Sequence, residues 1–70
     1  MGHIAKIMEL VGDSPTSWQD AVENAVREAN RTIDNITGVE VTNWTARVAK
    51  GQVVDYKVDV KIAVGVQPDR

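Results

Sequence analysis

The sequence predicts an α+β domain with the element order βαββ, in which a three-stranded antiparallel sheet of order 1-3-2 packs against one helix. Three observations lead to this fold: one amphipathic helical stripe, one strand with strict apolar alternation, and a Lys-Gly turn between two strand-like stretches. The chain has 70 residues, and we expect residues 1–70 to form a single domain.

The helix is predicted from the apolar spacing over residues 18–33. Apolar residues recur there at i, i+3, i+4 and i+7, and several are alanines, which let a sheet approach the helix axis closely. The stripe consists of Trp18, Ala21, Val22, Ala25, Val26, Ala29 and Ile33. Ser14 is the expected N-cap, with Pro15 in the first helical position. Thr16 and Ser17 are the alternative caps.

The strands are predicted from alternation and from one turn. The first strand covers residues 4–11. The third alternates most strictly, so it is placed in the centre of the sheet, and its even-numbered residues from Tyr56 to Val66 are expected to face the helix. The second strand covers residues 39–48. Partway along it, the apolar residues change from odd-numbered to even-numbered positions. This change indicates either a bulge near Asn43 or a second face that is also covered by protein. Lys50-Gly51 is the expected hairpin turn.

The composition favours a homo-oligomer. A chain this short buries a small core, and this one contains no cysteine for a disulfide and a single histidine, His3, as an imidazole ligand. One helix covers only one face of the sheet. The opposite face, which is expected to carry Ile7, Trp44, Ala46 and Val48, is then available to another subunit.

Charge and hydropathy exclude several classes of function. The formal net charge is −2, with acids and bases interspersed, so no basic stripe points to nucleic acid. The sequence shows no signal peptide and no long apolar run, so we expect a cytoplasmic protein without a membrane partner. Residues 67–70 are polar and are expected to fray.

The chain shows no catalytic constellation, so we expect it not to be an enzyme. Acidic residues of the strands are expected to form ion pairs with basic residues across the sheet. The acids are Glu9, Glu40, Asp55 and Asp59, and the bases are Lys57, Lys61 and Arg47. Alternatively, carboxylates from symmetry-related subunits converge on an axis and hold Ca²⁺ or Mg²⁺ through oxygen ligands. The sequence assigns no particular metal ligand.

Three side chains have two interpretations each. Trp18 is either a structural residue, as a core anchor or a plug between subunits, or a contact for a ligand. Trp44 is either buried at a subunit interface or a displaced platform on which a ligand stacks. Lys57 is either a solvated strand lysine or a charge directed at a ligand.

Several segments resemble the dodecin family over about residues 6–66. They are Glu9-Leu10-Val11-Gly12-Asp13-Ser14, the alanine-rich stripe, Gly38-Val39-Glu40-Val41 and Tyr56-Lys57-Val58, and the segment Ser14-Pro15-Thr16-Ser17-Trp18 is similar to some actinobacterial members. The resemblance implies a sheet that wraps around the helix, and twelve subunits in a hollow sphere with cubic 23 symmetry. It also implies non-catalytic storage or sequestration of flavins, riboflavin or FMN, which bind in pairs near the twofold axes.

This sequence departs from the implied flavin site at three positions. The resemblance implies a tryptophan that stacks on the flavin ring where this chain has Gly38, and a glutamine that bonds to the ring edge where it has Lys57. It also implies, for FMN-binding bacterial members, an arginine where this chain has Thr45. With the neighbouring Trp44, these are the candidate cofactor-binding positions. Because glycine cannot stack and lysine offers only donors, we expect riboflavin or FMN to bind weakly or not at all. The alternative is a non-flavin dodecin-like assembly that bound cations such as calcium stabilise, with a structural or ion-binding role.

Overall fold

The computed structural model describes residues 4–66. His3 and the predicted fraying of residues 67–70 lie outside the described residues. The elements are β1, Ile4–Ser14; α1, Trp18–Asn30; β2, Ile36–Ala49; and β3, Gln52–Val66. The sheet has the order β1-β3-β2, and both pairings are antiparallel. The predicted βαββ fold and its strand order are therefore confirmed.

The core lies between α1 and the central strand β3. Three alanines of the helical stripe and three even-numbered residues of β3 are buried, which confirms the predicted faces of both elements. They are Ala21, Ala25, Ala29, Val58, Val60 and Ile62. The helix crosses β1 closely at Gly12, where a Cβ would overlap the carbonyl oxygen of Ala21 and lie 2.9 Å from the Cβ of Ala25.

The N-cap of α1 is Ser17 and not Ser14. The Ser17 hydroxyl oxygen accepts a hydrogen bond of 3.0 Å from the backbone N–H of Asp20. Ser14 belongs to β1, where it pairs with Tyr56, and its buried hydroxyl donates a hydrogen bond of 2.7 Å to the Asp20 carboxylate. Pairing with β3 keeps Ser14 extended, so the helix begins only after Pro15. The expected cap was wrong, and one of the two alternatives is correct.

The other predicted boundaries shift by up to three residues. β1 continues to Ser14, three residues beyond its predicted end, because residues 12–14 pair with β3. α1 ends at Asn30 and not at Ile33, since the N–H groups that follow bond to Glu28 and Ala29 in a tightened last turn. β2 begins at Ile36 and not at 39.

A bulge in β2 confirms one of the two interpretations of its parity change. The register with β3 shifts between Val41 and Asn43, which leaves Thr42 as the extra residue. After the bulge, Trp44 lies directly opposite Val58, and direct partners of an antiparallel pair share a face. Trp44 and Ala46 therefore lie on the helix side of the sheet, so their predicted placement on the opposite face was wrong.

The β2–β3 hairpin extends beyond the rest of the sheet. β1 ends at Ser14, opposite Tyr56, whereas β2 and β3 stay paired up to Ala49 and Gln52. We call this two-stranded extension, residues 47–55, the hairpin arm. Its turn is the predicted Lys50-Gly51, with φ angles of 54° and 75°, values that a two-residue hairpin turn requires.

Candidate functional site

The candidate site is the outer face of the sheet, defined as the face opposite α1. The odd-numbered residues of β3 point to this face, because the even-numbered ones are buried against the helix. Lys57 lies here between Asp13 of β1 and Thr45 of β2. The structure thus brings two of the predicted positions, Thr45 and Lys57, together as direct partners. Both side chains are exposed, so an ammonium group and a hydroxyl are available to a ligand.

Gly38 lies on the same outer face but at a distance from that pair. It is opposite Ala63 of β3, which is six residues along the strand from Lys57 and so about 20 Å away. The space over Gly38 is open, since a Cβ built there would meet no atom within 4 Å. Within one subunit, the family positions therefore do not form one pocket. A ligand that contacts both ends of the face needs a second subunit or a length of about 20 Å.

Charged residues occupy the outer face between those two ends. Lys61 lies between Glu9 of β1 and Glu40 of β2, and Asp59 lies opposite Val11. These partners agree with the predicted pairing of acids and bases across the sheet. The side chains of these cross-strand partners do not come within ion-pair distance of each other, however. Over residues 4–66 the ion pair within 4 Å is the helical contact of Glu28 with Arg31, at 3.2 Å. The outer-face charges are thus free to meet a ligand, an ion or another subunit.

A shallow depression of about 370 Å³ lies beside the bulge. Its lining combines carboxylates, one ammonium group, one hydroxyl and apolar groups; the residues are Glu9, Leu10, Val11, Thr42, Asp59, Val60 and Lys61. Thr42 donates a hydrogen bond of 3.1 Å from its hydroxyl to the carbonyl oxygen of Asp59, which holds the bulge against β3. The sequence reasoning did not single out Thr42 as part of the site. The signal for it was the parity change of β2.

Trp44 belongs to an aromatic cluster on the helix side. The ring centroid of Trp18 lies 4.9 Å from that of Tyr56 and 6.3 Å from that of Trp44, and both pairs are edge-to-face. Trp18 also donates a hydrogen bond of 2.9 Å to the carbonyl oxygen of Thr45. Trp44 and Gly38 therefore lie on opposite faces of the sheet. This arrangement disfavours Trp44 as a replacement platform for a ligand over Gly38.

Within the described part of one subunit, the candidate donor side chains do not form a metal site. Among residues 4–66 there is no group of three or more His, Cys, Asp or Glu side chains that could hold a metal ion. Glu9 and Glu40 share one row of the sheet but have Lys61 of β3 between them, and Asp59 lies in the next row on that face. A hard cation binds six or more oxygen atoms, so a calcium site here would require carboxylates from more than one subunit.

The helix content is also small. In the described part of the chain, α1 has 13 residues, and no helix there is both long and apolar enough to cross a membrane.

The fold and this face define a class: a small α+β subunit with an open, charged sheet face and an uncovered hairpin. The comparison with known families assigns the chain more closely. The Dodecin family model matches residues 4–67, so the chain belongs to the dodecin family. The family resemblance of the sequence is thereby confirmed.

Individual relatives cover almost the whole chain. The calcium dodecin of Mycobacterium tuberculosis (strain ATCC 25618 / H37Rv) is 26% identical over 65 residues, which are 93% of this chain and 92% of that protein. The dodecin structure from Streptomyces coelicolor is 31% identical, covers 96% of both chains and has a TM-score of 0.89.

One similar structure concerns calcium. It is that of the calcium chelating immunodominant antigen, calcium dodecin, from Mycobacterium tuberculosis, with a novel calcium-binding site. It is 26% identical to this chain, covers 96% of both chains and has a TM-score of 0.78.

Proposed function

We propose that this chain is a non-catalytic binding protein that assembles into a hollow homododecamer and holds small ligands on the outer face of its sheet. The activity is of the flavin-sequestering type, with an affinity for riboflavin and FMN that Gly38 and Lys57 make weak. Membership in the dodecin family supports the class, and the proposed location is the cytoplasm.

The shape of the subunit is the observation that carries the proposal of assembly. Its radius of gyration is 14.6 Å, whereas a compact domain of this length has about 11 Å. Its longest dimension is 57 Å and its shortest 13 Å. Such a flat subunit buries little apolar surface by itself, and large hydrophobic side chains remain exposed. These are Ile7, Val11, Trp18, Val39, Trp44, Val48, Val53 and Val54. Another subunit that covers them would gain about 25 cal/mol per Å² of apolar surface.

The outer face supports the proposal of ligand binding. Thr45 and Lys57 present hydrogen-bond donors side by side, and the open space at Gly38 leaves room for a planar group from a neighbouring subunit's ligand. Among the described residues of the same subunit, no aromatic side chain lies on this face to stack on a flavin, because Trp44 points to the helix side.

A second candidate function is a cation-stabilised assembly with calcium as the ion. The similarity to calcium dodecin of Mycobacterium tuberculosis supports it. So do the acids of the outer face, Glu9, Glu40 and Asp59, which form no ion pair with another residue of the range 4–66. Since residues 4–66 of one subunit hold no group of side chains that could bind a metal ion, the ion would lie between subunits and its removal would weaken the assembly.

Analytical ultracentrifugation of the purified protein near neutral pH tests the assembly. We expect a single large species, and a folded species at the mass of one chain would contradict the proposal. The visible absorbance and the metal content of the same sample separate the two candidates. Yellow protein that releases flavin supports storage. Colourless protein with stoichiometric calcium, whose sedimentation coefficient falls after chelation, supports the cation-stabilised assembly.

A further inference from the structure

Among residues 4–66, no other element covers the hairpin arm, residues 47–55. β1 stops at its base, and α1 begins beside that base at Trp18, so the arm consists of two strands alone. Val48, Val53 and Val54 of the arm are 61%, 45% and 37% exposed. Because a hairpin of two strands is marginally stable in water, the arm needs a surface to pack on.

A second exposed apolar surface lies on the outer face of β1. Ile7 and Val11 are 58% and 66% exposed, and Glu9 and Asp13 share their face because alternate residues of a strand do so. We call these four residues the outer strip. The distance from Ile7 to Val11 is about 14 Å, and that from Arg47 to Lys50 along the arm is about 10 Å, so the two surfaces have similar lengths.

The two surfaces carry opposite excess charge. The arm has two basic residues, Arg47 and Lys50, and one acidic residue, Asp55. The outer strip and its direct partners on β3 have three acidic residues and two basic ones. The acids are Glu9, Asp13 and Asp59, and the bases are Lys57 and Lys61. Two arms face to face, or two strips face to face, would bring like charges together, whereas an arm on a strip brings opposite charges together. The arm continues the sheet away from β1, so it cannot reach the strip of its own chain.

We propose that the hairpin arm of one subunit packs on the outer strip of a second copy. This inference rests on the proposed function, because it names the surfaces that join subunits of the shell. Because two different surfaces meet, the contact is either reciprocal between two copies or repeats head to tail, and a head-to-tail contact whose rotation closes forms a ring. A ring of three is a unit that a dodecamer with 23 symmetry contains.

The test uses two variants that each damage one side of the contact. Val48→Asp places a carboxylate on the arm, and Val11→Asp places one on the outer strip. Both residues are exposed in the subunit, so each substitution leaves the subunit core intact. Gln19→Asp adds the same charge at an exposed position of the helix and is the control. Native mass spectrometry and sedimentation velocity give the size of each species, and far-UV circular dichroism gives its secondary structure.

We expect the control to form the wild-type assembly and each valine variant to form a smaller species. In a mixture of the two variants, the Val11→Asp chain has an intact arm and the Val48→Asp chain has an intact outer strip. The mixture should therefore form a species that contains both chains and is larger than either variant alone. If the mixture forms nothing larger, the contact joins like surfaces and the inference is wrong. Wild-type assembly of either valine variant also overturns it, while a monomeric wild type would instead overturn the proposed function.

Loss of the circular dichroism signal would show that an aspartate variant does not fold. Val48→Thr and Val11→Thr then replace the two variants, because they remove less apolar surface and add no charge. We expect each threonine variant to form an assembly of the same size as the wild type. On dilution, that assembly should dissociate at a protein concentration at least tenfold higher than the wild-type assembly does. An unchanged midpoint of dissociation in either threonine variant would overturn the inference.

Discussion

The indole N–H of Trp18 donates a hydrogen bond of 2.9 Å to the main-chain carbonyl oxygen of Thr45. Trp18 is the first residue of α1, and Thr45 lies in β2, the strand on which the helix packs least. The bond therefore ties the start of the helix to the far side of the sheet. It acts at the base of the hairpin arm, where β1 ends, and it holds the backbone of a residue whose side chain is on the outer face.

Trp18→Phe should lower the free energy of unfolding by about 0.5–1.5 kcal/mol, because a smaller aromatic ring remains in the cluster but the hydrogen bond to Thr45 is lost. Urea denaturation followed by circular dichroism measures it, at equal protein concentrations because assembly contributes to stability. Trp44→Phe is the matched control: it also shrinks a ring of the same cluster, but at a position that is 53% exposed. An equal or larger loss in the control would contradict the role given to the Trp18 hydrogen bond.

Gly12→Ala should destabilise the protein by about 1–3 kcal/mol, since overpacking a close contact forces the backbone to move. The added methyl group would overlap the carbonyl oxygen of Ala21 and would crowd the Cβ of Ala25. Gly38→Ala is the control, because the same methyl group meets open space there. The midpoints of thermal unfolding of the two variants report the difference. Equal midpoints would show that the helix is not held so close to β1.

Ala25→Asp should prevent folding. Ala25 is 4% exposed in the core between α1 and the sheet, and an unpaired carboxylate buried there costs several kcal/mol. Soluble yield and far-UV circular dichroism detect the loss. Gln19→Asp, which introduces the same group on the exposed side of the helix, should remain folded. A soluble and assembled Ala25→Asp protein would mean that this helix face does not point to the core.

Riboflavin and FMN should bind weakly or not at all to the wild type. Stacking of an aromatic side chain on a planar base is worth about 1–3 kcal/mol, and Gly38 lacks this contribution. Lys57 offers donors only, so it cannot replace both groups of an amide. Together these losses should weaken binding by a factor of about tens to thousands, at about 1.4 kcal/mol per tenfold. Submicromolar binding in a fluorescence titration would refute the prediction.

Two variants locate any residual flavin binding. Gly38→Trp should gain affinity, because the space above Gly38 is open and accepts a side chain. Trp44→Ala should bind as the wild type does, since Trp44 lies on the helix side of the sheet. If Trp44→Ala instead abolishes binding that the wild type shows, Trp44 reaches the ligand and is the replacement platform.

Local patterns predicted the elements of this fold well. The helical stripe, the strict alternation of β3 and the Lys50-Gly51 turn each depend on residues that are close in the chain, so their periodicity and turn chemistry were visible in the sequence. The order of the strands followed from placing the most apolar strand at the centre. The candidate positions Gly38, Thr45 and Lys57 came from the family resemblance, and whether they bind a ligand stays a prediction.

Contacts between distant parts of the chain decided the rest. Ser14 was an equally good N-cap by its residue type, but its pairing with Tyr56 kept it in β1 and moved the cap to Ser17. The sequence by itself indicated a bulge near Asn43. Only the register with β3 showed that the extra residue, Thr42, turns Trp44 to the helix side. A change of one residue in register moves every later side chain of a strand to the other face, and register is a property of the paired strands together.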